Sequence, residues 1–165
     1  MKLNKKYYRW LVEIVLILIV LTAIRFWMQR DIVSGSVPNI SSFMIDGGYF
    51  DLSKNKTRPI LIHFWATWCP VCKLEHSNIE NISKDHSVIT IALQSGDTKE
   101  LNQFMSEEKL SFNVINDNDG MISRNFNIKG VPVSFIVNKN NKIEFVEVGY
   151  TTELGLRMRM WWTGL

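Results

Sequence analysis

The sequence predicts an α/β domain, a central mixed sheet flanked by helices, carried behind one N-terminal transmembrane helix. Three observations lead there. An apolar run with basic residues ahead of it opens the chain. Strand-like and helix-like stretches alternate from about Phe43, and a hairpin followed by a helix closes the sequence.

The opening segment comes first. Lys2, Lys5, Lys6 and Arg9 precede an apolar run from Trp10 to Met28, broken only by Glu13, Thr22 and Arg25. As a helix it spans roughly 28 Å, against a bilayer core of about 30 Å. Trp10 at one end, with Phe26 and Trp27 at the other, are placed like interfacial aromatics. A cleaved signal peptide is the alternative, because Ile14–Ile24 also fits an apolar signal core. Cleavage needs small residues just beyond it, and Arg25-Phe26-Trp27-Met28 follow instead, so we read an uncleaved anchor over 10–28. The positive-inside rule places residues 1–9 in the cytoplasm and the remainder on the outer, periplasmic side of the cytoplasmic membrane. Residues 29–42 read as a tether, and 43–165 as the folded domain.

The formal net charge of +3 does not imply a nucleic-acid partner. Lys2, Lys5, Lys6, Arg9, Arg25 and Arg30 all lie before residue 31, and the chain after Pro38 is slightly acidic. The basic excess belongs to the membrane-flanking segment.

Within the domain, Ile60–Ala66 is a nearly unbroken apolar run, as a strand covered on both faces requires. Pro70 opens a helix to about Lys84, with Cys72, Ile79 and Ile82 as its buried stripe. Val88–Leu93 reads as a second buried strand, and Asp97–Lys109 as a helix with Leu101, Phe104 and Met105 at helical spacing. Asp119 is a plausible N-cap for a short helix through Phe126. Val133–Val137 and Ile143–Val148 form a hairpin across the polar turn Asn138–Asn141. In the last stretch Leu154, Leu156, Met158 and Met160 alternate like a strand. Leu154, Met158 and Trp161 nevertheless share one helical face with Thr151 or Thr152 as cap. A helix docked on the sheet is the reading preferred here to contact with lipid headgroups.

The chemistry centres on Cys69 and Cys72, the only two cysteines. A bridge between them closes too small a loop to staple a fold, so its value is chemical. They sit where a buried strand gives way to a helix, which puts Cys69 near the N-cap, facing unpaired N–H groups and the positive end of the dipole. A partly buried helix end stabilises an anion by up to about 2 kcal/mol, equivalent to roughly 1.5 pKa units. A thiol starting near about 8.5 then titrates near about 7. Cys72, one turn further in, receives less of that field. The asymmetry makes Cys69 the attacking sulfur of a mixed disulfide and Cys72 the resolving one, with no cofactor beyond the Cys69–Cys72 disulfide. A structural zinc or other metal site is not expected: there is no second Cys-x-x-Cys, and no Cys/His pair follows at finger spacing.

At this point the residues amount to a family resemblance. Phe64-Trp65-Ala66-Thr67-Trp68-Cys69-Pro70-Val71-Cys72-Lys73 resembles the active-site segment of thioredoxins, and Gly130-Val131-Pro132 the loop carrying their cis-proline. Asn116-Asp117-Asn118-Asp119-Gly120 and Gly149 resemble the TlpA-like branch of membrane-tethered extracytoplasmic disulfide oxidoreductases. Cys-Pro-Val-Cys and Leu154-Gly155-Leu156-Arg157 are most like proteins associated with suppression of copper sensitivity. The resemblance implies a thioredoxin fold, protein thiol or disulfide substrates, and a membrane or periplasmic redox partner. It also implies a cis Pro132 against the cysteine pair, with Trp68, Pro70, Val131 and Pro132 forming the substrate surface. Two departures stand out: His63 occupies the place of a buried Asp, and Pro70-Val71 that of Gly-Pro.

His63 has two readings of equal standing, a proton acceptor for Cys72 or a hydrogen-bonded core histidine. Glu75, one turn beyond Cys72, resembles a glutamate that TlpA-like proteins place by the active site; the alternative is a solvated helix face. His76 and Lys73 are expected to face solvent. The reading carried forward is an extracytoplasmic protein disulfide oxidoreductase, on analogy a reductase fed by a membrane donor. The rival from another class is a copper-binding or copper-delivery module holding Cu(I) on Cys69 and Cys72.

Overall fold

The computed structural model describes the backbone of residues 5–29 and 32–165; the side chains of residues 5, 6, 21 and 24–29 lie outside the described set. The chain divides into two units, Met1–Asp31 and Ile32–Leu165.

In the first unit, α1 runs over Lys5–Gln29. Its described apolar side chains from Trp10 to Val20 are uncovered. The Thr22 hydroxyl donates back to Leu18 O at 2.7 Å, so this polar group asks nothing of its surroundings. Among the described residues no helix is long and apolar enough to cross a membrane. The anchor expected over 10–28 runs onto side chains outside the described residues, as do Lys2, Lys5, Lys6, Arg25, Phe26 and Trp27.

In the second unit the elements are β1 (Gly35–Ser36), β2 (Ser41–Phe43), β3 (Tyr49–Asp51), β4 (Ile60–Trp65), α2 (Pro70–Ser83), β5 (Ser87–Leu93), α3 (Thr98–Glu107), β6 (Val114–Asp117), α4 (Met121–Asn125), β7 (Val133–Val137), β8 (Lys142–Val148) and α5 (Glu153–Gly164). Six strands form one sheet in the order β1-β8-β7-β4-β5-β6, and β2 pairs with β3 separately. β4, β5 and β6 run parallel, as helical crossovers require, whereas β7 and β8 are antiparallel. This is the expected mixed sheet.

β4 is central and buried at all six positions. Its alternation sends Leu61 and Trp65 to one face, where Cys72, Ile79 and Ile82 of α2, Leu101 and Met105 of α3, and Leu156 and Met160 of α5 meet them. Ile60, Ile62 and Phe64 go to the other, with Ile40, Leu52, Phe126 and Phe135.

Three expectations need correcting. Part of the stretch read as tether, 29–42, is folded: Gly35 and Ser36 pair with Ile143 and Lys142 of β8, and Ile40 is buried. Asp119 is not the N-cap residue of α4, although its Oδ1 accepts from the first helical N–H, that of Met121, at 3.0 Å. The N-cap is Gly120 in the left-handed region, and Asp117 reaches past it to accept from the N–H groups of Ile122 and Ser123 at 2.9 and 2.8 Å. Finally, α5 docks, but not through Leu154, Met158 and Trp161, which are exposed. Leu156 and Met160 turn inward instead, with Arg157 reaching Asp85 beyond the end of α2 and Arg159 reaching Glu147 on β8 in the same roll.

Candidate active site

β4 leads straight into the cysteine pair. Cys69 N donates to Ala66 O at 3.2 Å, closing a turn, and Thr67 N donates to Ser95 Oγ at 3.0 Å, fixing that turn to the loop after β5. Cys69 is the N-cap of α2 with extended backbone, and Pro70 follows at the start of the helix, where its missing N–H is no loss. The Cys69 sulfur accepts from Cys72 N at 3.1 Å. One of the orphan N–H groups of the helix start is therefore aimed at this sulfur. Cys69 and Cys72 are joined as a disulfide with Cα atoms 5.3 Å apart. Cys72 is fully enclosed, while a sliver of Cys69 reaches the surface.

Around Cys69 stand the residues expected to meet substrate. The Val131–Pro132 bond is cis, as is Arg58–Pro59. Val131 O lies 3.6 Å from Cys69 Sγ, and Pro132 O accepts from Gly149 N at 2.9 Å, tying the loop to the end of β8. Pro132 is buried and Val131 half-buried; Pro70 and Trp68 are exposed. Trp68 donates its Nε1–H to Gln94 O at 3.1 Å, so the indole lies pinned beside the cysteines with its face open.

Beneath α2 the environment is polar and closed. Glu75 is fully buried, against the solvated alternative. Its Oε1 accepts from Thr151 N at 3.3 Å, while its Oε2 has no protein partner. Burial pushes its carboxyl up to about 7; the Thr151 N–H opposes this and Glu147 adds to it. His63 is also fully buried, with Nδ1 2.9 Å from Ser134 Oγ. Burial, and then His76, push it down to about 3, so it stays neutral.

His76 is not solvent-facing as expected. It is buried with its ring 5.0 Å from Trp65, 5.8 Å from Phe104 and 6.2 Å from Phe112, and burial pushes it down to about 4. The stripe Cys72, His76, Ile79 has the i, i+4, i+7 spacing of the buried face, a signal present in the sequence. Lys73 does face out and pairs with Glu108 at 3.1 Å.

Sequence reasoning missed Glu147 and Arg159, paired at 2.7 Å with Glu147 buried. The bulge between Ile136 and Val137 puts Ile143 on the face opposite Phe145, so no unbroken period-two pattern runs along this strand to Glu147.

A strand-to-helix turn presenting one sulfur at a helix start, backed by a second sulfur and a buried carboxyl, can exchange disulfides. The comparisons agree. The chain is 29% identical over 144 residues to a "Thioredoxin-like protein" of Haemophilus influenzae, covering 86% of each. It is 30% identical over 129 residues to the "Thiol:disulfide interchange protein DsbE" of Vibrio cholerae, covering 74% of this chain and 68% of that one. The crystal structure of StoA from Bacillus subtilis superposes with a TM-score of 0.63 at 26% identity, over 73% of this chain and 95% of that one. The protein is thus a thioredoxin-like thiol–disulfide oxidoreductase with its Cys-x-x-Cys pair at 69 and 72. The family model described as Redoxin matches residues 33–156, and the chain belongs to that family.

Proposed function

We propose that the protein reduces or rearranges disulfides of other proteins outside the cytoplasm while tethered to a membrane by α1. The observation that carries the chemistry is the Cys72 N–H aimed at the Cys69 sulfur. An N–H and a helix dipole already in place favour the thiolate of Cys69 over that of Cys72.

In the reduced protein, the Cys69 thiolate attacks a substrate disulfide. A Cys69–substrate disulfide forms, and the first substrate sulfur leaves as a thiolate and takes a proton from water. Cys72 then gives its proton to a base, and its sulfur attacks Cys69 Sγ. The Cys69–substrate bond breaks, the second substrate thiolate leaves, and the pair is oxidised by two electrons as the substrate disulfide is reduced. A dithiol donor reverses the change in the pair.

Magnitudes choose the base. A thiol near about 8.5 giving its proton to Glu75, at about 7, climbs about 2 kcal/mol; giving it to His63, at about 3, climbs about 7 kcal/mol. Glu75 is the better acceptor, and it lies one turn from Cys72 on the same buried face. His63 is better read as a neutral hydrogen-bonding residue of the core. Trp68, Pro70, Val131 and Pro132 form the rim against which an extended substrate segment lies.

The uncovered apolar face of α1 from Trp10 to Val20 supports the anchor, with the catalytic unit outside the cytoplasm. Likeness to the TlpA-like branch supports a membrane electron donor and work in the reducing direction. Cys-Pro-Val-Cys and Leu154-Gly155-Leu156-Arg157 support a link to copper tolerance, with exchange rather than Cu(I) carriage as the role of the pair.

The test is trapping. Cys72→Ser in the full chain should accumulate mixed disulfides on Cys69 that a reductant releases. Equal trapping by Cys69→Ser would reverse the two roles. Stoichiometric tight Cu(I) binding by the reduced protein without disulfide turnover would replace the reading with the copper module.

A further inference from the structure

The outward side of α5 is as apolar as its inward side. Leu156 and Met160 dock on the sheet, while Leu154, Met158, Trp161 and Trp162, with Leu165 just beyond the helix, make a second stripe at helical spacing. That stripe is exposed, Trp161 and Trp162 at 65% and 66%. A helix apolar all round calls for cover on both sides. Docking on the sheet and contact with headgroups, set as alternatives for this helix, can belong to its two sides.

The surroundings of the stripe are basic. Ile60 of β4 pairs with Val137 of β7, Val137 with Ile143 of β8, and Ile143 with Gly35 of β1, so these residues mark one end of the sheet. The last turn of α5 comes to that end: a Cβ on Gly164 would lie 3.4 Å from Pro59 Cδ. The loop before Pro59 and the turn Asn138–Asn141 lie there too. Arg58 joins them, donating from Nη2 to Asn141 Oδ1 at 2.7 Å and from Nη1 to Asn55 O at 2.9 Å. On them stand Lys56, Lys139 and Lys142, all exposed and without an acid partner among the described residues. The acids nearby are engaged. Asp51 meets Lys54 at 3.4 Å, Asp85 meets Arg157 at 2.7 Å, and Glu144 accepts from Asn138 Nδ2. Exposed tryptophans beside uncompensated lysines suit anionic headgroups, aromatic rings in the interfacial layer and ammonium groups over the charge. Only residues 30–34 separate α1 from β1, a reach of at most about 20 Å, so a membrane holding α1 is close at hand.

We propose that this end of the domain docks on the anionic lipid surface of the membrane that holds α1, with Trp161 and Trp162 in the headgroup layer and Lys56, Lys139 and Lys142 over it. The proposal rests on α1 as the anchor, as read above, and adds a second contact with the same membrane. Cys69 lies beyond the far end of β4, about 20 Å of strand away, so the docked domain turns its sulfur to the aqueous side.

The test uses the full chain with Cys69→Ser and Cys72→Ser, carrying one nitroxide on an added cysteine, in vesicles of phosphatidylcholine and phosphatidylglycerol. Oxygen collects in the acyl layer and a nickel chelate stays in water, so the ratio of their collisions with the nitroxide places it. Oxygen should dominate at Trp162→Cys, and equally at Trp161→Cys; the nickel chelate should dominate at Trp68→Cys. Each of Lys56→Ala, Lys139→Ala and Lys142→Ala should move the docked-to-undocked ratio read at Trp162→Cys roughly fivefold towards water. Added salt should move it the same way. A nickel-dominated signal at both tryptophan positions overturns the proposal. So does protection from both reagents, the mark of a protein cover, whether a second copy or a partner. An unchanged ratio in all three lysine variants overturns it too. Val15→Cys on α1 separates the two readings. Oxygen dominance there with water at Trp162→Cys overturns this proposal alone; water at Val15→Cys removes the anchor, and this proposal with it.

Discussion

The two faces of the sheet are built from the same strands but spend their burial differently. On one, Phe64, Phe126 and Phe135 close a triangle with ring centroids 5.0, 5.1 and 5.8 Å apart, and the buried carboxylate at the edge of that face, Asp117, is satisfied by the N–H groups of Ile122 and Ser123. On the other, a polar row crosses the sheet beneath a helix that carries Cys72, Glu75 and His76 inward. Aromatic contacts add about 0.5–1.5 kcal/mol per pair beyond area burial, whereas each buried unpaired polar group costs about 1–3 kcal/mol. The apolar face holds the fold; the polar face uses some of that stability to bury titratable groups beneath the helix that carries Cys72.

The sharpest way to break this contrast is Phe135→Ala. It should lower stability by about 3–5 kcal/mol in a denaturant titration while leaving the disulfide-exchange rate per folded molecule unchanged. A large loss of intrinsic rate would show that the two faces are not separable. Glu75→Gln should do the reverse. The raised carboxyl of Glu75 binds its proton more tightly folded than unfolded. Wild-type stability therefore falls as pH climbs from about 4.5 to about 7, by up to about 3 kcal/mol. The variant should lack that slope, and an unchanged slope would show that Glu75 is not buried in solution. His76→Phe should act with comparable size at the opposite end. Neutral and enclosed when folded, His76 takes a proton sooner when unfolded, so stability drops as pH falls from about 6.5 towards about 4. The phenylalanine variant should resist acid better, read as a melting temperature at mildly acid pH. The smallest expected effect on stability is that of Trp68→Ala, within about 0.5 kcal/mol because the indole is exposed. It should nevertheless slow exchange with a folded protein disulfide more than with a small one. Equal slowing would remove Trp68 from the substrate rim.

The apolar face and the cysteine turn were both legible in the sequence, and the polar face only in part: His63 and Glu75 stood out, whereas His76 and Glu147 did not. Ile60–Ala66 followed by Cys69-Pro70 carries its own instructions: an apolar run long enough for a covered strand, then a proline that starts a helix at the sulfur. His76 was misplaced because a histidine reads as polar, although its spacing from Cys72 and Ile79 is that of the buried stripe. Glu147 was missed because no unbroken period-two pattern reaches it. Its burial depends on Arg159, twelve residues on and in another element, a partner that no local pattern announces. The roll of α5 was hidden likewise. Two apolar stripes compete on that helix, and the stripe that is buried, Leu156 and Met160, is flanked by the ion pairs of Arg157 to Asp85 and Arg159 to Glu147. Asp117 joins Asp119 at the start of α4 because it sits at the end of β6, where both its oxygens reach N–H groups, those of Ile122 and Ser123, while Asp119 takes that of Met121.

The most direct measurement is the titration of the two thiols in the reduced full chain, followed by thiolate absorbance with Cys72→Ser to assign the first. With a backbone N–H fixed on its sulfur, Cys69 should ionise near about 7, well before Cys72. Two thiols ionising together near about 8.5, the ordinary value, would contradict the claim that the start of α2 activates Cys69.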